Sequence, residues 1–340
     1  MILHGRVTEQ AIDRNQIGTF HKELVVTSGR VPLAMVRKRW AANDGGTRSP
    51  VLLVHGFGQN RYAWHLPSRS LANHLARAGF DVFNVDLRGH GRTRQLTRVG
   101  SAGIDDYVRE DIPAAVEEAS RISGNRRVFL VGHSLGGLVS YAAAPELSGL
   151  IAGVVSIGSP YHFTNGSWSL SALALFVKAL AAVGVRPWNL PMTIRPIGSL
   201  MRTFRRVAES PFYPIPVRGW HAGALEPHVL DEHLRLAFDR AMLHDLINMF
   251  EWANDRRFGG SALDYSERFE KHDSPLLIIS GQRDDLAPPA SVRPAFLRSR
   301  SRDKTYRALP FGHIDLLMGR DAPLSTWSLV HAWLDKRAAA

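Results

Sequence analysis

The residues best suited to covalent chemistry surround Ser134, in residues 132–136 (GHSLG). An apolar run at 128–131 precedes them and apolar residues recur at helical spacing after them, so the pattern predicts a strand, a sharp turn and a helix. Gly132 and Gly136 permit so tight a turn, because larger side chains at these positions would collide across it. We therefore predict a nucleophile elbow that exposes the Ser134 hydroxyl and aims the first amides of the helix at the same place.

A serine hydroxyl is a weak nucleophile at neutral pH, so it needs a histidine to take its proton and a carboxylate to orient that histidine. In a doubly wound sheet such partners lie on loops at the carboxyl ends of strands. His313 follows the last predicted strand, 304–309, and Asp284 follows the strand before it, 275–280. The order Ser134, Asp284, His313 is the one expected for this arrangement, and these three residues are the predicted catalytic groups.

Two other carboxylates lie close to these residues along the chain. Asp285 is the alternative acid, although it could instead cap the turn that follows. Asp315 would point away from the base if His313 points into the site, so we predict a structural role for Asp315. The predicted strand at 151–157 ends without a carboxylate, and Asp284 remains the preferred acid.

The loop HGFGQN, residues 55–60, follows a short apolar strand at 51–54. Glycines directly after a buried strand let the backbone turn its amides toward a site. We predict an oxyanion hole formed by the Phe57 N–H and the Leu135 N–H. A simple strand-to-helix turn is the alternative, and we expect His55 to be a structural hydrogen-bond partner.

The elements that must position these residues follow an alternating rhythm of strands and helices. A β-hairpin at the edge of the sheet is predicted at 22–39, helices at 64–78, 104–122 and 323–337, and a further strand at 81–85. This order predicts an α/β fold with a mostly parallel, doubly wound sheet. The predicted core comprises residues 1–160 and 273–340. In the loop DLRGHG after the 81–85 strand, Asp86 and Arg88 are expected to pair.

The rhythm breaks in residues 161–272, where helical spacing recurs at 170–183 and 225–253 and no convincing strand is present. We predict that this segment is an inserted, mainly helical cap that closes over Ser134. Four tryptophans of the cap are candidates to line an acyl pocket, with ordinary core packing as the alternative. They are Trp168, Trp188, Trp220 and Trp252.

The chain has 340 residues and a formal charge of +11, with basic residues mostly dispersed. Because no basic tract is interleaved with aromatics, we predict no nucleic-acid partner. The basic residues concentrate in one part of the cap, where a single acid, Glu209, accompanies them; contact with an anionic lipid surface, an acidic substrate and a solvated face are the alternatives. The seven residues are Lys178, Arg186, Arg195, Arg202, Arg205, Arg206 and Arg218.

The chain contains no cysteine, which excludes disulfides and cysteine-ligated metal sites. Its first fifteen residues lack the apolar region of a signal peptide, and no apolar run approaches the ~18 residues that cross a bilayer. We therefore expect a cytoplasmic location.

Five motifs together resemble those of serine hydrolases of the α/β-hydrolase superfamily: HGFGQN, DLRGHG, GHSLGG, GQRDDLAPP and GHIDLL. The tail GHIDLLMGRDAP is similar to the histidine loops of acid lipases and of lipase-like relatives of polyhydroxyalkanoate synthases. Those synthases carry cysteine as the nucleophile, and haloalkane dehalogenases and epoxide hydrolases carry aspartate. Ser134 departs from both patterns and favours hydrolysis.

The resemblance implies an esterase or lipase that acts by two-step acyl transfer through an acyl-enzyme on Ser134. It implies a small-molecule acyl ester as substrate and neither a metal nor an organic cofactor, and it leaves the oligomeric state open. Acyl transfer to another acceptor, thioester hydrolysis and perhydrolysis are alternatives on the same residues. A non-catalytic binding protein on this fold is a further alternative.

Overall fold

The computed structural model describes residues 1–43, 47–97, 100, 103–182, 191–210, 218–254 and 264–338. Most described strands belong to one large sheet, and two form a small separate sheet. The strands are β1 (Ile2–Asp13), β2 (Gln16–Val26), β3 (Ala34–Trp40), β4 (Pro50–Val54), β5 (Asp81–Asp86), β6 (Val128–His133), β7 (Ile151–Ile157), β8 (Pro191–Thr193), β9 (Arg240–Met242), β10 (Leu276–Gly281) and β11 (Lys304–Leu309).

Helices follow most of the strands of the large sheet. They are α1 (Leu71–Arg77), α2 (Thr93–Leu96), α3 (Ile104–Asp106), α4 (Ile112–Ile122), α5 (Leu135–Ala143), α6 (Trp168–Ala182), α7 (Arg195–Thr203), α8 (Arg205–Ala208), α9 (Pro227–Glu232), α10 (Leu243–Asn254), α11 (Tyr265–Lys271), α12 (Pro289–Arg298), α13 (Asp315–Met318) and α14 (Ser328–Ala338). Single turns of other helix types occupy Arg61–Ala63, Tyr107–Asp111, Ala144–Leu147, His233–Ala237 and Pro323–Trp327.

The large sheet has the strand order β1-β2-β3-β5-β4-β6-β7-β10-β11. All pairs from β5 to β11 are parallel, whereas β1, β2, β3 and β5 pair antiparallel. The carboxyl ends of β4, β6, β10 and β11 therefore lie along one edge of the sheet. The predicted α/β fold with a mostly parallel, doubly wound sheet is confirmed.

Apolar layers cover both faces of the sheet, as β4 illustrates. Its side chains alternate between the layers because successive strand residues point to opposite faces. Leu52 and Val54 pack with α4 and α5, whereas Val51 and Leu53 pack with α1 and α14. Burial on both faces explains why this strand is continuously apolar.

Three local predictions need correction. The hairpin at 22–39 is present as β2 and β3, but β1 pairs with β2 on its other side and occupies the sheet edge. The helix predicted at 64–78 begins only at Leu71, where the Ser70 side chain accepts a hydrogen bond from the Asn73 N–H. Asp86 and Arg88 do not pair with each other, because Asp86 binds Arg61.

The buried Arg88 side chain turns instead toward the segment that leads into α4. Its Nε–H donates to Asp111 Oδ1 at 2.7 Å, and its terminal nitrogen donates to Glu110 at 2.7 Å. Burial raises the pKa of Asp111 to about 6, although the Arg88 charge opposes this rise. This pair fixes the loop after β5 against the helix that covers the sheet.

The chain between β7 and β10 contains the helices α6 to α11. Contrary to the expectation of no strand, β8 and β9 pair antiparallel within it over three residues each. Among the described residues, no helix is long and apolar enough to cross a membrane.

Candidate active site

Ser134 lies at the turn between β6 and α5, in a backbone conformation that side-chain-bearing residues rarely adopt. Its φ is 53° and its ψ is −122°. The Ser134 N–H donates to the Ile157 carbonyl at 3.0 Å, which fixes the turn to the end of β7. Such a strained conformation persists only where the surrounding structure enforces it, and it is typical of functional sites.

The two glycines of the turn are required by backbone contacts. A Cβ at Gly132 would lie 2.4 Å from the Gly136 carbonyl carbon, and a Cβ at Gly136 would lie 2.1 Å from the Val54 carbonyl oxygen. Since these neighbours are backbone atoms of the sheet and of α5, they cannot move aside cheaply. The close packing predicted for residues 132–136 is therefore present, and it joins β6 to β4.

His313 and Asp284 lie side by side in the loops after β11 and β10. The His313 Nδ1–H donates to Asp284 Oδ2 at 2.7 Å, and both side chains are buried. Asp284 Oδ1 accepts from the backbone amides of Leu286 and Ala287 at 2.9 and 2.7 Å. These bonds fix the carboxylate, which in turn fixes the imidazole tautomer and leaves Nε2 free to accept a proton.

The alternative acid, Asp285, and the predicted structural residue, Asp315, have other hydrogen-bond partners. Asp285 accepts a hydrogen bond from the Arg218 N–H at 3.1 Å. Asp315 accepts from the amides of Gly312 and His221 at 3.0 and 3.1 Å, which agrees with its predicted structural role. Burial raises the pKa of Asp315 to about 6.

The loop after β4 lies against the turn at Ser134. A Cβ at Gly56 would lie 3.1 Å from the Ser134 Cβ, so the backbone approaches the serine closely. Among the described residues, none accepts a hydrogen bond from the amide of Phe57 or of Leu135. Both predicted oxyanion donors are thus available to a ligand, and Phe57 lines the same cavity as Ser134.

Buried histidines other than His313 surround these loops, and the sequence predicted a structural role for His55 among them. The His55 Nδ1–H donates to the Gly56 carbonyl, and its Nε2 accepts from the Leu87 N–H, which makes it the predicted structural residue. The His133 Nε2–H donates to the His313 carbonyl at 3.2 Å, and the two rings lie 4.6 Å apart. Burial lowers the pKa of His133 well below its usual value, so His133 is a neutral group that positions the His313 backbone.

A cavity of about 360 Å³ opens onto Ser134 and His313. Its walls are mostly apolar, which suits the hydrocarbon part of a ligand. The apolar lining residues outside the strand-end loops include Phe163, Leu170, Leu173, Ile194, Met201, Trp220, Phe238, Leu246, Met249 and Phe250. All of these lie between β7 and β10. Trp220 was a pocket candidate in the sequence, and those that fall in segments of predicted helical spacing are Leu170, Leu173, Phe238, Leu246, Met249 and Phe250.

The tryptophans proposed as pocket residues have different positions. Trp220 is buried and lines the cavity. Trp252 packs against Tyr265 in the apolar core. Trp168 is 77% exposed on α6, and Trp188 lies outside the described residues.

The basic residues of the same segment are partly neutralised by neighbouring carboxylates. This pairing reduces the local excess of positive charge that the sequence indicates. Arg186 lies outside the described residues. The observed pairs are Arg195–Asp239, Arg202–Asp231 and Arg205–Glu209. In the described part of the chain, no group of three histidine or acidic side chains could hold a metal ion.

A profile of the alpha/beta hydrolase fold family matches residues 49–319. The protein belongs to this family, which confirms the superfamily indicated by the motifs. Lipase member M of Homo sapiens is 29% identical over 136 residues, which cover 36% of this chain and 31% of that protein. The chain thus spans less than a third of the length of this curated relative.

Two further similarities extend over nearly the whole chain. The poly(3-hydroxyalkanoate) polymerase subunit PhaC of Haloferax mediterranei is 25% identical over 371 aligned positions, covering 99% of this chain and 71% of that protein. A solved carboxyl esterase from Bacillus coagulans, in complex with glycerol, superposes with a TM-score of 0.65 and 16% identity. The superposition covers 94% of this chain and 99% of the esterase, which shows the shared fold.

Proposed function

We propose that the protein is a serine carboxylic-ester hydrolase that cleaves apolar acyl esters through an acyl-enzyme on Ser134. One observation carries this proposal: Ser134 and His313 line a single apolar cavity, and Asp284 holds His313 from the side away from it. The relatives named as a lipase and an esterase support the same reaction class.

In the proposed mechanism, the Ser134 oxygen attacks the ester carbonyl while His313 Nε2 takes the hydroxyl proton. Asp284 stays ionised and stabilises the imidazolium that forms. The Phe57 and Leu135 amides donate to the oxyanion, each contributing about 3 kcal/mol to stabilisation of the transition state. His313 then gives the proton to the leaving alcohol, and water repeats the sequence on the acyl-enzyme.

The size and lining of the cavity support an acyl group as the part of the substrate bound there. Its volume of about 360 Å³ is near the lower end of the range of roughly 300 to 1,000 Å³ for small-molecule sites. We therefore expect esters of short or medium acyl chains to be preferred. Burial of apolar chain contributes about 0.8 kcal/mol per methylene until the cavity is filled.

We further propose that residues 161–272 act as a cap over the core formed by 1–160 and 273–340. Side chains from α6, α7 and α10 line the acyl cavity, which supports this division. The cap would exclude water from the apolar walls and determine the preferred chain length.

Contact of this cap with an anionic lipid surface is a second proposal. Several large apolar side chains are exposed on α6, α7 and the turn after α7, and Arg206 in α8 is exposed as well. Apolar and cationic side chains on one surface are typical of proteins that bind an anionic bilayer surface. These apolar residues are Trp168, Leu175, Phe176, Leu200 and Phe204.

Acyl transfer to an acceptor other than water is the alternative reaction on the same residues. The similarity to the polymerase subunit over nearly the whole chain favours it. In that reaction the acyl-enzyme forms in the same way, but an alcohol or another nucleophile replaces water in the second step. Measuring free acid as well as released alcohol distinguishes the two reactions.

The decisive experiment measures hydrolysis of p-nitrophenyl esters from two to sixteen acyl carbons by the wild type and by Ser134→Ala. We expect about 10⁶-fold lower kcat in Ser134→Ala, with its fold retained by circular dichroism. Equal activity of the two proteins would exclude Ser134 as the nucleophile. If the wild type cleaves no ester but is labelled at Ser134 by an activated phosphonate, an ester is not the substrate, and Ser134 remains the proposed nucleophile.

A further inference from the structure

A second cavity, of about 730 Å³, lies on the other side of the loop after β4. We call it the basic cavity. Side chains from β1, β2, the loops after β4 and β5, and the start of α7 line it. Seven of its lining residues are arginine or lysine, and only one, Glu23, is acidic. This excess of positive charge is larger than that of any other described cavity.

The single carboxylate of the basic cavity is already neutralised from outside it. Glu23 accepts hydrogen bonds from Arg39 at 2.7 Å and from Arg37 at 3.1 Å, and neither arginine lines the cavity. Glu23 therefore compensates little of the charge within the cavity.

Four of the seven cations have no carboxylate within salt-bridge distance among the described residues. They are Arg6, Lys22, Arg92 and Arg235. Burial lowers the pKa of the half-buried Lys22, and the charges of Arg6, Arg61 and Arg92 lower it further. Arg6, Arg92 and Arg235 are exposed, so solvent screens part of this repulsion, whereas the partly buried Lys22 carries a cost that a bound anion would relieve.

The other three cations are held in place by buried carboxylates. Arg61 binds Asp86, Arg94 donates to Asp239 at 2.9 Å, and Arg195 lies 3.5 Å from Asp239. Asp86 also accepts from the Arg92 N–H at 2.8 Å. These bonds fix guanidinium groups at the wall of the cavity before any ligand arrives, which reduces the entropic cost of binding.

We propose that the basic cavity binds a ligand that bears two or more phosphate groups. Guanidinium groups match phosphate oxygens in charge and geometry and donate paired hydrogen bonds to them. The cavity is large enough for a ligand of more than one phosphate, and its unpaired cations come from several separate segments, so a single phosphate would leave some of them uncompensated.

The basic cavity adjoins the acyl cavity without sharing a lining residue with it. The same three chain segments line both, each supplying neighbouring residues to the two sides. These residues are Gln59 and Asn60, Ile194 and Arg195, and Phe238 and Leu236. The ligand site is therefore distinct from the proposed catalytic site, and the proposal goes beyond the proposed function without depending on it.

The test is calorimetric titration of the full chain with inorganic pyrophosphate at low and at physiological salt. We compare the wild type with the double variant Arg6→Gln/Arg92→Gln and with the control double variant Arg300→Gln/Arg302→Gln. The control removes the same charge from exposed residues that do not line the cavity. We expect the cavity variant to bind at least about tenfold more weakly and the control to bind like the wild type.

A second arm identifies the source of the phosphate. Vesicles with and without phosphatidylinositol 4,5-bisphosphate are sedimented with the same three proteins. Binding of pyrophosphate, but not of vesicles, through Arg6 and Arg92 indicates a soluble phosphorylated ligand. Binding of the bisphosphate-containing vesicles alone, lost in the cavity variant, indicates a lipid headgroup. Equal binding by all three proteins, or no binding of either probe, would overturn the proposal.

Discussion

The acyl cavity and the basic cavity lie on either side of the same three chain segments, yet their walls have opposite chemistry. The acyl cavity is lined mainly by apolar side chains and by Ser134 and His313, whereas the basic cavity is lined mainly by cations. Neighbouring residues such as Ile194 and Arg195 contribute to different cavities. The comparison shows that one short segment can provide the wall of an uncharged site and of an anion site together.

Asp284→Asn should have the largest effect, and this effect should be on ester cleavage in the acyl cavity and not on binding in the basic cavity. The variant loses the carboxylate that fixes the His313 tautomer, so we expect kcat for ester cleavage to fall about 10⁴-fold. Asp285→Asn is the matched control, because Asp285 accepts a hydrogen bond from a backbone amide in a neighbouring loop and not from His313, and we expect at most a few-fold change. Pyrophosphate affinity should be the same in both variants; equal kinetic losses in the two would refute the assignment of the acid.

A smaller effect, on stability, is expected from Gly136→Ala. The added methyl group would lie 2.1 Å from the Val54 carbonyl oxygen, so the turn at Ser134 must shift. We expect the free energy of unfolding in urea to fall by roughly 3 kcal/mol. Gly149→Ala, whose methyl group would meet no atom within 4 Å, serves as the control. Similar stability of the two variants would show that the close contact is not a constraint.

Acidification should lower the stability of the protein through histidines buried near the acyl cavity. The acyl cavity adjoins buried neutral histidines: burial lowers the pKa of His55 and of His233 to about 4. The unfolded chain keeps a pKa near 6.5, so between about pH 6.5 and 4 it binds protons that the native state does not. The free energy of unfolding should therefore decrease as the pH falls, by about 1.4 kcal/mol per pH unit for each such histidine.

Two buried carboxyl groups oppose this trend. Burial raises the pKa of Asp111 and of Asp315 to about 6, so the native state keeps their protons where the unfolded chain releases them. Urea unfolding at pH 7 and pH 5 measures the balance, which should favour the histidines because several of them share the lowered pKa. His55→Gln should flatten the pH dependence, and the exposed substitution His228→Gln should leave it unchanged. An unchanged pH dependence of the free energy of unfolding in His55→Gln would contradict the neutral state of His55.

The smallest effect is expected from Trp220→Phe in the acyl cavity. The smaller ring enlarges the cavity, so we expect the preferred p-nitrophenyl ester to lengthen by one or two carbons with a few-fold change in kcat/KM. Trp168→Phe is the control, since Trp168 is exposed on α6. An unchanged preference in Trp220→Phe would remove Trp220 from the residues that set chain length.

The strand ends of the parallel sheet could be predicted because their signals are local. An apolar run followed by glycine indicates β4 and β6, and the rule that partners gather at carboxyl ends led to Asp284 and His313. The edge strand β1 lacked such a signal, because it is exposed along much of its length and carries polar residues. Its partner β2 was recognised only as part of a hairpin with β3.

Contacts between distant segments could not be predicted in this way. Arg88 binds Asp111, which lies 23 residues away, rather than its neighbour Asp86. The basic cavity likewise collects Arg6, Arg92 and Arg235 from three separate parts of the chain. Dispersed basic residues gave no signal in the sequence, since only folding brings them to one wall.

The turn at Ser134 is set by the glycine contacts of Gly132 and Gly136 and not by the serine side chain. The chain also has no cysteine. Replacing Ser134 by cysteine would therefore introduce a single thiol at a known position on the wall of the acyl cavity. A spin label or fluorophore attached there would report whether α6 and α10 move during ligand entry, without competing sites elsewhere in the chain.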